Sequence, residues 1–416
     1  MDKVFLKIGY NTSIQIFGKV LSILLSVVTV GLLTRYLGAS GYGNFTLVFT
    51  YMSFFAVLSD FGLQLTMVRE LTDKSQRLEK LYSTYFWLKI VLVFSSTALA
   101  FIFLSFFPYS PALKIGIIIG GLAVSISGLT GYGNTIFQSD IRLDLVTLVD
   151  IVTKVSTVIL IILFTFLKFD FFSIVASVLV GNLIGLMITI VLLKKNIHFS
   201  FNFDKSLAKK IFLISLPIGI TSFFSLIYFK LDTIILSVMK NTAEVGVYSL
   251  AYKVLENVIV VWGFYMASVY PLLARFSAAG EKNKFNKLSR NSFFVAMLLA
   301  FLIVAPVFVF APFIINVFAG KGFAESVISL RIIIFALPLV FINNIFYYRF
   351  LIKRNMRPVI MGLIGALVLN FGLNLVYVPK YGYLASSFIT VLTEFFLFVV
   401  LTTIIISQNY RRKLNA

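Results

Sequence analysis

Cysteine is missing altogether from the 416-residue sequence, which excludes disulfides, thiolate nucleophiles and Cys-ligated metals. Histidine occurs once, at His198, too few for a His-based metal site or a Ser-His-Asp triad. Charge is scarce: 12% of residues are Asp, Glu, Lys or Arg, where a soluble globular domain carries about 25%. No GxxxxGK[ST] stretch occurs, and no segment between apolar runs exceeds about 20 residues, which leaves no room for a nucleotide-binding domain. What remains is apolar: 60% hydrophobic residues, 46 of them Phe, and a mean hydropathy of +1.00. This is the composition of a membrane protein.

The net charge of +20 would suit a nucleic-acid binder, but basic cytoplasmic loops of a membrane protein account for it, so no nucleic-acid partner is expected. The first apolar run, residues 14–33, is too long for the core of a cleavable signal, and no small-residue cleavage site follows it. Crossing a hydrocarbon layer of about 30 Å takes roughly 20 apolar residues. Twelve such segments are expected: 10–33, 43–67, 81–106, 112–136, 145–167, 171–193, 211–237, 246–273, 291–318, 326–350, 358–378 and 381–407. The fold class this predicts is an all-α polytopic membrane protein.

Lys and Arg set the orientation. With the N-terminus inside, the cytoplasmic segments hold 23 of them and the outer loops six, with seven inside spans. That bias places both termini in the cytoplasm. The chain also repeats: Gly43, Phe45 and Leu47 of "GYGNFTLVF" fall on Gly246, Tyr248 and Leu250 of "VGVYSLAY" at a constant offset of 203. Six spans per half make this a parallel repeat about an axis along the membrane normal, with a substrate site expected between the halves. The expected organisation is an N-lobe over 1–193, a basic cytoplasmic loop over 194–210 that contains His198, and a C-lobe over 211–416.

Polar residues inside the spans follow helical spacing. In span 1, Gln15, Lys19, Ser22, Ser26 and Thr29 form one stripe within roughly 80° of arc. Ser and Thr are common at helix–helix seams, but a lysine ten residues into a span is not explained that way. Lys19 is expected to line a cavity, with a buried charge pair or snorkelling to the inner surface as the alternatives. Span 5 carries Asp150 and Lys154 at i,i+4 with the acid first, the better orientation for a helical ion pair. Span 8 carries Lys253 and Glu256 at i,i+3. For both, a self-neutralised pair and a ligand role fit equally.

In span 7, "SLIYFKLDTIIL", Asp232 falls within about 100° of Thr221, Ser222 and Ser225, whereas Lys230 lies about 160° away. Asp232 is expected on the polar face and is the leading functional candidate. Lys230, about 29 Å along its helix, is expected to snorkel to the outer surface. Pro217 and Gly219 mark a kink lower in the same span. Asp60 and Glu394 are further intramembrane acids. Lys89, Arg331 and Arg349 are read as lying near span ends.

Four stretches together, "TRYLGASGYGNF" (34–45), "SDFGLQLTMVRE" (59–70), "KLDTIILSVMKNTAEVGVYSLAYKV" (230–254) and "YPLLARFSAAGEKNKFNKL" (270–288), resemble the Wzx-like polysaccharide flippases. That family lies within the multidrug/oligosaccharidyl-lipid/polysaccharide exporter (MOP) superfamily. The resemblance implies two six-helix lobes around a central, often cationic cavity that alternates between the membrane faces. It also implies a lipid-linked oligosaccharide as cargo, moved from the inner to the outer leaflet of the cytoplasmic (inner) membrane. Among the family's residues, Asp232 matches the span-7 aspartate.

On this reading Gln15, Lys19, Ser22, Ser26, Lys154, Ser225 and Lys253 are the substrate-binding candidates, the lysines meeting the phosphate charge. Asp232, Asp150 and Glu256 are the candidates for carrying a coupling H+ or Na+. Membrane lipids and polysaccharide assembly enzymes are the expected partners; no cofactor and no enzymatic activity are expected. A multidrug/cation antiporter of the same superfamily is the alternative. A glycan polymerase or ligase is disfavoured, because no long outer loop is present to carry catalytic residues.

Overall fold

The computed structural model describes residues 2–72, 78–194, 203–353 and 355–414. His198 and residues 195–202 of the expected inter-lobe loop lie outside the described residues. Among the described residues there are helices and turns and no strand, as a lipid environment requires: each backbone N–H and C=O must find its partner within its own segment.

The described residues run through thirteen α-helices: α1 Asp2–Asp60, α2 Leu63–Thr72, α3 Leu78–Leu104, α4 Pro111–Ser139, α5 Leu143–Phe166, α6 Phe171–Lys194, α7 Lys205–Met239, α8 Thr242–Ala278, α9 Lys282–Ala319, α10 Ala324–Ile333, α11 Ala336–Ile352, α12 Arg357–Tyr381 and α13 Tyr383–Leu414. At 59 residues, α1 would be about 90 Å long if straight, far more than one bilayer. Gly38, at φ 66, breaks it into two spans, so the connector expected over residues 34–42 shrinks to this one residue. Eleven described helical stretches are long and apolar enough to cross a membrane, and the break in the first makes twelve spans.

The tenth expected span, 326–350, is two helices rather than one. Pro338 has no N–H to give the carbonyl of Ile334, and its ring crowds that carbonyl, so α10 ends at Ile333 and α11 restarts at Ala336. Helix starts are capped by side chains: Ser110 Oγ accepts from Leu113 N (3.3 Å), and Asn241 Oδ1 accepts from Glu244 N (3.0 Å). Asp204 caps α7 through Ser206 N (2.8 Å) and Leu207 N (3.0 Å). The Lys80 ammonium and these amides hold its carboxyl below the usual range.

The helices form two compact units, Met1–Ile227 and Tyr228–Ala416, so the changeover falls within α7, ten residues beyond Pro217. In the first unit α1 packs on α3, α4 and α5, and α6 packs on α4 and α5. Small residues set the seams: a Cβ on Gly18 would run into Thr147 of α5, which brings those two helices close. The turn between α1 and α2 fits a notch in α7 of the same unit. Gly62, at φ 79, stands so near α7 that a Cβ would lie 2.7 Å from the Ser215 carbonyl and 2.9 Å from Gly219 N. Phe61 in turn stacks on Phe212 (6.1 Å between centroids). In the second unit α13 packs on α8, α10, α11 and α12, and Trp262 is stacked between Phe341 and Tyr265.

Candidate functional site

Ion pairs at the level of the spans are built in three places. In the first unit, the close α1–α5 approach at Gly18 sets Ser22 beside Asp150, and Ser22 Oγ donates to Asp150 Oδ2 (3.0 Å). Lys154, one turn along α5, pairs with the same oxygen (3.0 Å). The expected i,i+4 pair therefore forms and is joined by the hydroxyl stripe of span 1. It is open to its surroundings, with side-chain exposures of 52% for Asp150 and 42% for Lys154. Lys19 and Gln15 are exposed on the same stripe, Lys19 three residues before Ser22, and Ser26 is half-buried.

A second pair is Asp60 with Lys89, at 2.8 Å. Lys89 is not at a span end as expected. It sits eleven residues into α3, 3% exposed, and Asp60 supplies the counter-charge that a buried ammonium needs.

The third cluster corrects the reading of Lys230. Instead of snorkelling away, Lys230 donates to Glu256 Oε1 of α8 (2.6 Å), and its ammonium lies 5.3 Å from the centre of the Tyr252 ring. Lys253 donates to the other oxygen, Oε2 (3.1 Å). One carboxylate thus bridges two lysines, all three partly exposed. Lys230 and Asp232 both reach α8, which carries Glu256 and Tyr248. The partner on α8 was not visible from α7 alone.

Asp232 is not on an open polar face; it is 3% exposed, inside the second unit. Asn374 Nδ2 of α12 donates to its Oδ1 (2.6 Å), while Tyr248 of α8 (3.1 Å) and Thr390 of α13 (3.2 Å) donate to Oδ2. The Asn374 amide also reaches Asn370 Oδ1 (3.1 Å), and Ser386 Oγ donates to Asn374 Oδ1 (3.2 Å). Hydrogen bonds to neutral groups from three helices replace a salt bridge. Ser225, two turns earlier, is half-buried in the part of α7 that belongs to the first unit.

A second buried acid has the same character. Glu394, 5% exposed on α13, accepts from Tyr228 Oη of α7 at Oε1 (2.9 Å) and from Asn343 Nδ2 of α11 at Oε2 (2.8 Å). The partners Tyr228, Tyr248, Asn343, Asn370 and Asn374 were not singled out from sequence. The signal was there in Asn370 and Asn374, two amides at i,i+4 in an otherwise apolar span.

The remaining cations turn to aromatic rings. Arg331 donates to the Phe308 carbonyl (3.1 Å) and covers its ring, and Arg349 lies over Phe285. Among the described residues no group of three or more His, Asp or Glu side chains is placed to hold a metal ion.

Comparison with known proteins fits this architecture. No curated protein matches the sequence. The solved structure of the lipid II flippase MurJ in an inward closed conformation is similar over 95% of this chain and 87% of its own, at 15% identity and a TM-score of 0.79. An inward-facing multidrug resistance MATE family transporter of the MOP superfamily is similar over 95% of this chain and 96% of its own, at 14% identity and a TM-score of 0.79. At these identities the likeness is one of fold. The MatE family model matches residues 217–376. The model described as polysaccharide biosynthesis protein matches residues 8–277, well over half of the sequence, and the chain belongs to that family.

Proposed function

We propose that the protein is a flippase of the cytoplasmic (inner) membrane, with both termini in the cytoplasm. It moves a lipid-linked oligosaccharide, a polyprenyl phosphate or pyrophosphate glycan, from the inner to the outer leaflet by alternating access. One observation carries the reading. The Glu256 cluster holds two lysines, Lys230 and Lys253, for one carboxylate, and in the first unit Asp150 pairs with Lys154 while Lys19 stands exposed on the stripe that carries Ser22. The acids that lack a cationic partner, Asp232 and Glu394, are buried and solvated by neutral donors. The charge left accessible within the spans is positive, which suits a phosphate head group.

The polyprenyl tail stays in lipid while the accessible lysines meet the phosphate head, and Gln15 and Ser26 meet sugar hydroxyls. Asp232 is the group through which a coupling H+ or Na+ acts. Polysaccharide assembly enzymes supply and consume the cargo on the two faces of the membrane. The match of 217–376 to the MatE model favours a second reading, a multidrug/cation antiporter. An excess of accessible lysines disfavours cationic cargo. The discriminating test substitutes glutamine for Lys19 and Lys253 together in a reconstituted protein. Loss of glycan flipping with normal insertion supports the flippase; unchanged flipping contradicts it.

A further inference from the structure

The two buried acids of the second unit are not equivalent. Three hydrogen bonds converge on Asp232, from Asn374, Tyr248 and Thr390. Glu394 receives two from other side chains, Tyr228 and Asn343, and none of the ion pairs among the described residues includes it. Beside it lies a buried acceptor that nothing satisfies: Asn343 Oδ1 has no hydrogen-bond partner. A buried polar group left unpaired calls for an explanation. Here a donor is missing next to a carboxylate that is short of donors.

We infer that Glu394 is a proton-binding site, with Tyr228 and Asn343 able to serve both of its protonation states. Without the proton, both oxygens accept, as described. With it, the new O–H needs an acceptor, and the Tyr228 hydroxyl is within reach. Tyr228 Oη lies 2.9 Å from Oε1 and, being a hydroxyl, can accept there while giving its own hydrogen to Thr393, its neighbour on α13. The Asn343 amide keeps its orientation, because Nδ2 also donates to the Glu394 backbone carbonyl (3.0 Å), against which a turned amide would set Oδ1. In both states Nδ2 donates to Oε2, the oxygen that does not take the proton.

The groups around Glu394 permit this. From α7 come Tyr228 and, one turn on, Asp232. From α8 comes Tyr252, whose phenol is in electrostatic range of Glu256, Asp232 and Glu394; Lys230, 5.3 Å from the centre of that ring, and Lys253 are paired with Glu256. From α11 comes Asn343, from α12 the neutral Asn370 and Asn374, and from α10 the neutral Ser329, bonded to Ser387. Both lysines are already committed to Glu256, so neither is the counter-ion of Glu394. Two carboxylates in one unit with different surroundings can take different roles. Only the use of this proton in coupling rests on the proposed transport function; the binding itself does not.

The test is infrared difference spectroscopy on the full chain in lipid nanodiscs, between acid and alkaline pH, with no cargo present. The wild type should give a protonated-carboxyl C=O band that is lost in Glu394→Gln and kept in Asp232→Asn. Tyr228→Phe, which keeps the ring and removes the hydroxyl, should shift the pH at which that band appears. An unchanged band in Glu394→Gln overturns the inference. If that variant fails to fold, an unmoved titration in Tyr228→Phe overturns it instead. Because cargo is absent, neither result depends on whether the protein flips glycans.

Discussion

Lys230 and Glu256 meet at 2.6 Å across α7 and α8, and Lys253 takes the second oxygen of the same carboxylate. Removing the acid therefore leaves two lysines facing each other. Glu256→Ala should reduce the thermal stability of the purified protein more than Lys230→Gln or Lys253→Gln, each of which leaves a one-to-one pair. Thermal denaturation in detergent reads this directly. Equal losses for all three would mean that the bridge is not formed.

Asp232 gathers donors from three helices, so its shape and its charge can be tested apart. Asp232→Leu should destabilise the protein strongly, since each orphaned buried donor costs about 1–3 kcal/mol. In Asp232→Asn the oxygen can still accept from Asn374, while the new amide donates to Tyr248 or Thr390, whose hydroxyls can turn to accept. That variant should fold and lose the dependence of transport on an ion gradient. Gradient-dependent transport in folded Asp232→Asn would remove Asp232 from coupling.

Gly62 and Gly219 test the notch in α7. Alanine at Gly62 must hold a positive φ and meets the Ser215 carbonyl, and alanine at Gly219 meets Phe61. Each should cost about 2 kcal/mol or more of stability. Gly263→Ala, with open space around its position, serves as the neutral control. Thermal denaturation of the three variants side by side decides it, and a neutral Gly62→Ala would mean that the turn does not seat on α7.

Much of the fold was legible because hydrophobic runs and helical period are local. The twelve spans, the Asp150–Lys154 pair and the Lys253–Glu256 pair follow from spacing along one helix. What was not legible depends on which helices pack together. Angular counting put Lys230 and Asp232 on opposite faces of α7, but only α8 decides that Lys230 meets Glu256, and only α12 and α13 decide that Asp232 is enclosed. The same holds for Lys89, whose partner Asp60 lies on another span. Pro338 could have been read as a break in span 10, since its missing N–H is a local property.

Topology is open to a separate check. Single cysteines are informative in a chain that has none of its own. A cysteine at Lys284, at the exposed start of α9, should react only from the cytoplasm; one at Ser40, beside the break in α1, should react with an impermeant reagent added outside. The reverse pattern would invert the assignment of both termini.

Lys19 separates charge from structure in the first unit. Lys19→Ala should abolish glycan flipping with normal insertion, and Lys19→Arg should retain part of it, because charge is kept while geometry changes. Full activity of the alanine variant would remove Lys19 from the path.

The most direct measurement uses sealed proteoliposomes carrying a polyprenyl-pyrophosphate oligosaccharide in both leaflets, with an enzyme outside that modifies only the outward-facing glycan. With the protein present, modification should proceed beyond the outer-leaflet fraction to the whole pool, and Lys19→Gln/Lys253→Gln should stop at the outer-leaflet fraction. Modification that stops there for the wild type too, with the same vesicles transporting a cationic dye, would contradict the account.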